Sequence, residues 1–95
     1  MDKPDDIFII ILEHTTFAAI ARECKLTRQA VKRWRKDGMP FSIHTGETNY
    51  DLVISKITGN AVTPGQIKAW SLKHRQWLNR QKDIENNSEI SSIGA

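Results

Sequence analysis

The sequence predicts an all-α fold of about five helices with a helix-turn-helix at its centre. Three observations point there. Apolar residues recur at helical spacing in successive segments. Good N-capping residues precede those segments, and Gly or Pro follows several of them. Two of the segments, within 17–36, are joined by a tight turn of three or four residues.

The elements follow in order. Asp5 or Asp6 caps a first helix that runs to about His14, with carboxylates well placed against the helix dipole. The run IFIIIL at 7–12 is β-branched enough to suit a strand, but the cap favours a helix. Thr15 and Thr16 precede a second helix with Phe17, Ile20, Ala21 and Cys24 on one side. Lys25-Leu26 is the turn, and Thr27 caps a third helix from Arg28 to about Lys36. Asp37-Gly38 ends that helix, and Pro40 stops any continuation. Residues 41–47 read as a loop. Thr48 or Asn49 caps a fourth helix, whose apolar set is Leu52, Val53, Ile54 and Ile57. Thr63-Pro64 opens the fifth, with Pro at the first helical position. That helix is expected to reach about Lys82, carrying Ile67, Trp70, His74, Trp77 and Leu78 on one broad face. The division is therefore one domain over 1–82 and a flexible tail over 83–95, rich in Asn, Ser and Glu.

Composition narrows the function classes. The chain has 95 residues, 39% apolar and 26% charged, which suits one small globular domain. Its single cysteine, Cys24, rules out a disulfide within the chain and suits a reducing cytoplasm. IFIIIL is too short to span a bilayer, so no membrane partner is expected. The histidines, His14, His44 and His74, are widely spaced, and no metal or other cofactor is expected. No nucleophile–base grouping or phosphate-binding loop is present, so neither an enzyme nor a small-molecule substrate is expected.

Charge distribution carries more. The net charge is only +3, yet seven of the 14 basic residues lie between Arg22 and Lys36. Such concentration makes a local positive field suited to a polyanion. In the third helix Ala30, Val31 and Trp34 share the side that packs inward. Arg28, Gln29, Lys32 and Arg33 then point outward. A DNA major groove admits one helix, in which Arg pairs bidentately with guanine and Gln with adenine. Arg22, Lys25, Arg35 and Lys36 suit phosphates, which position a protein without reading sequence. Thr16 and Thr27, at helix starts where backbone N–H groups meet phosphate, join them.

The stretch AIARECKLTRQAVKRWRKDGMP resembles the helix-turn-helix of phage Cro-like regulators, including the YdaS-type prophage family. The shared pattern is Ala21, Leu26, Thr27, Val31, Trp34 and Gly38-x-Pro40. LVISKITGNAVTPGQI is also similar to that family, so the resemblance covers about residues 15–67. It implies a lambda repressor-like architecture in a cytoplasmic, nucleoid-associated transcriptional regulator. It implies a repressor that binds double-stranded operator DNA as a homodimer. It also implies base reading by Arg28, Gln29, Lys32 and Arg33. The turn position that the family gives to Gly is Lys25 here, and a left-handed Lys costs about 1 kcal/mol.

Other readings stand beside this one. A small basic DNA binder can instead act as an excisionase that bends DNA at recombination sites, with or without repression. Trp70 and Trp77 lie two turns apart on one helix side, with His74 between them. They read either as core or as a dimer or partner surface, since large aromatics dominate interfaces. A partner surface there allows a protein-interaction role such as an anti-repressor.

Overall fold

The computed structural model describes the backbone of residues 3–94 and the side chains of 3–82. The architecture is all-α, with α1 (Phe8–His14), α2 (Phe17–Cys24), α3 (Arg28–Asp37), α4 (Ser42–Thr45), α5 (Tyr50–Ile57) and α6 (Pro64–Gly94). Among the described residues there is no strand.

The IFIIIL run forms a helix. Asp6 Oδ1 accepts the Phe8 N–H at 3.0 Å and so caps its start. Ile7, Phe8 and Ile11 are buried while Ile9 and Ile10 are exposed. A strand would have placed Ile7, Ile9 and Ile11 together; the observed set is helical. Phe8 meets Trp70 of α6 edge-on, with ring centroids 5.6 Å apart, and lies 6.0 Å from Phe17.

Residues 41–47 are not all loop. Ile43 is buried and anchors a single helical turn, α4, which Gly46 closes in a left-handed conformation. One turn is too short to show a hydrophobic period, so sequence pattern could not reveal it. This raises the helix number from about five to six among the described residues.

In α4 the His44 imidazole is held below its ordinary value of 6.5. Burial is the main cause, aided by Arg75 and Lys68 and opposed by Asp51. The unfolded chain therefore takes up the proton more readily. His44's contribution to stability is full above pH 6.5 and falls away as pH drops below it. Urea unfolding at pH 7.5 and 5.5 is expected to show the lower midpoint at pH 5.5, with the difference reduced in His44→Gln.

In α5 one member of the expected apolar set fails: Leu52 is 55% exposed. The buried stripe passes through Asp51, Ile54 and Ser55, and Leu52 lies almost opposite Ile54 on the helix. Asn49 occupies the N-cap position but makes no side-chain capping bond.

At the start of α6 Thr63 and Gln66 form a reciprocal capping box. Thr63 Oγ1 accepts the Gln66 N–H at 3.1 Å, and Gln66 Oε1 accepts the Thr63 N–H at 2.8 Å. The helix runs to Gly94, past the end expected near Lys82. From Asp83 to Ile93 the sequence contains neither Gly nor Pro to break it. The flexible tail expected over 83–95 concerns residues whose side chains lie outside the described set.

Candidate nucleic-acid interface

Two helices and their turn build the basic face. Thr16 Oγ1 accepts the Ala19 N–H at 3.1 Å and starts α2. The helix ends with Lys25 at φ 58° and ψ 40°, in the left-handed region. Leu26 N–H donates to Ala21 O at 2.9 Å, and Lys25 N–H to Arg22 O at 3.4 Å. These two bonds form a Schellman closure, with Leu26 packed on the core. The position that favours Gly is thus adopted by Lys25 without loss of the closure. Lys25→Gly is expected to raise stability by about 1 kcal/mol, read as a higher thermal midpoint.

Thr27 then caps α3, its Oγ1 accepting the Ala30 N–H at 3.1 Å. Val31 and Trp34 are buried, and Trp34 stacks on Tyr50 of α5 with centroids 5.0 Å apart. With that side fixed, Arg28, Gln29, Lys32 and Arg33 are all exposed. Arg28 and Lys32 are four residues apart, as are Gln29 and Arg33, so the four share one edge. Thr16, Arg22, Lys25, Thr27, Arg35 and Lys36 are exposed around them.

The far end of α3 is held by α6. His74 Nε2–H donates to Lys36 O at 2.6 Å, satisfying a carbonyl in the last turn of the helix. Ser71 Oγ accepts the Met39 N–H at 3.0 Å, and Arg75 Nε–H donates to Met39 O at 3.2 Å. Gly38 links the two points with φ 90° and ψ 164°, a conformation closed to residues with a side chain. Helix α3 is therefore fixed at both ends and along its inner side.

Two expected assignments change. Trp70 and His74 do not form a dimer or partner surface, because they are 6% and 2% exposed. Trp70 fills the space beside Phe8, and His74 stacks on Trp70 at 4.8 Å. Trp77 is half-buried, with Lys3 Nζ 5.4 Å from its ring centroid. Arg35 is not a free cation, since its Nε donates to Asp6 Oδ2 at 2.6 Å. Asp6 thus acts on α3, and Ser71 and Arg75 on the chain just after it, although no local sequence pattern marks these contacts.

Cys24 is half-buried, and burial followed by Glu23 pushes its thiol above the ordinary 9.0. That is the reverse of what a reactive thiolate needs. No helix among the described residues is long and apolar enough to cross a membrane. Comparison with protein-family models, with curated proteins and with solved structures returns no match.

Proposed function

We propose that the chain is a sequence-specific double-stranded DNA-binding transcriptional regulator of phage or prophage type. In this reading it is a Cro-like repressor that acts in the bacterial cytoplasm as a homodimer on its operator. The observation that carries the reading is the mounting of α3. Its outer edge offers Arg28, Gln29, Lys32 and Arg33, while caps, Trp34 and the α6 bonds fix its position. A rigid basic helix with planar donors along one edge has the chemistry that a major groove reads.

Burial of Trp70 and His74 leaves the half-buried Trp77 as the part of that face on which a protein-interaction role would rest. Excision with DNA bending keeps the same face and differs only in the footprint: tandem direct repeats for excision, one palindrome for a dimeric repressor.

The test separates reading from clamping. Arg28→Ala and Gln29→Ala are each expected to lose about 1–3 kcal/mol on the selected site and little on random duplex, so preference relaxes. Arg35→Ala is expected to weaken all duplexes alike. A gel-shift series in which neither class changes binding sinks the proposal.

A further inference from the structure

A cleft of about 310 Å³ lies between the lead before α1, the flank of α3 and the side of α6. Among the described residues, Lys3, Lys32, Arg35 and Lys36 line it against one carboxylate, Asp6. Asp6 is divided between two tasks: Oδ1 caps α1, and Oδ2 accepts from Arg35. Lys3, Lys32 and Lys36 make no ion pair among the described residues. Trp70 also lines the cleft, and its buried indole N–H has no acceptor. The wall is therefore rich in positive charge, and one shared carboxylate leaves most of that charge unmatched.

A phosphoryl group complements such a wall better than a carboxylate, because it brings more acceptor oxygens to guanidinium and ammonium donors. We infer that this cleft is a phosphoryl-binding site in which Asp6 holds Arg35 until a phosphate takes its place. The phosphate comes either from a DNA backbone or from a soluble phosphate ester. Only the DNA source rests on the proposed function.

Asp6→Asn tests this in the full chain. Asn is as good a helix cap as Asp, so α1 keeps its start while the competing charge is removed. Asp6→Ser, another capping residue, provides the same comparison should the Asn variant not fold. Inorganic phosphate is titrated while the Arg35 Nε–H and Trp70 indole signals are followed by NMR. Duplex affinity is measured separately against salt concentration.

The expected result is a gain of roughly two- to fivefold in Asp6→Asn, the range of an exposed ion pair. For DNA, the salt slope should stay nearly the same, because Arg35 meets a phosphate in both proteins and only the competing carboxylate is removed. The gain must vanish when Arg35→Ala is added. A gain for duplex alone assigns the site to the DNA backbone. A gain for inorganic phosphate, with no duplex binding by either protein, keeps the site and removes the DNA reading. An equal gain with and without Arg35 means only a general charge effect and overturns the inference. No gain for either ligand in a folded variant overturns it as well.

Discussion

Trp70→Ala is expected to lower the unfolding free energy by about 3–5 kcal/mol, the range for removing a large aromatic from a packed core. A domain of this size has only about 5–15 kcal/mol in total, so the variant should be close to unfolding at room temperature. The size of the effect follows from what the ring touches. It meets Phe8 edge-on at 5.6 Å and stacks on His74 at 4.8 Å. His74 in turn holds Lys36 O at the end of α3. Loss of Trp70 therefore loosens the α6 support of α3 as well as the core. Urea unfolding followed by circular dichroism measures it. Trp77→Ala, from a half-buried ring, should cost clearly less. An unchanged midpoint for Trp70→Ala would return this residue to a surface role.

The limits of sequence reading lie along a physical line. Caps were legible because donor and acceptor are three residues apart: Thr16 with Ala19, Thr27 with Ala30, Thr63 with Gln66. The inner side of α2 and α3 was legible because Ile20, Ala21, Val31 and Trp34 repeat with the helix period. The exposed edge then followed by elimination. Trp70 shows where the reading stops. Its seven-residue spacing from Trp77 places both on one helix side, but a core and a partner favour the same large aromatics on that side. Only the position of Phe8 decides between them. Asp6–Arg35 and His74–Lys36 join residues 29 and 38 apart, and no local pattern announces such pairs. Leu52 failed for a different reason: hydrophobicity alone does not determine burial, and the inward stripe of α5 carries Asp51 and Ser55 instead.

Salt is expected to have the larger effect on the proposed activity. Each phosphate neutralised on duplex DNA releases condensed counterions and adds roughly −0.9 to the slope of log affinity against log salt. Arg22, Lys25 and Lys36 are exposed cations at the borders of the reading edge, and Arg35 joins them once it leaves Asp6. Three or four such contacts give a slope of roughly −2.7 to −3.6 per chain. Raising salt from about 50 to 200 mM should then weaken binding roughly 40- to 150-fold per chain. Two chains on one palindrome double the slope, so its value also reports how many copies bind. Binding isotherms on a random duplex check this without knowledge of the operator, because phosphate contacts carry no sequence information. Lys36→Ala should reduce the slope by about one per chain. Binding that is insensitive to salt would mean that these cations meet no phosphate, and the mounted edge of α3 would need a different partner.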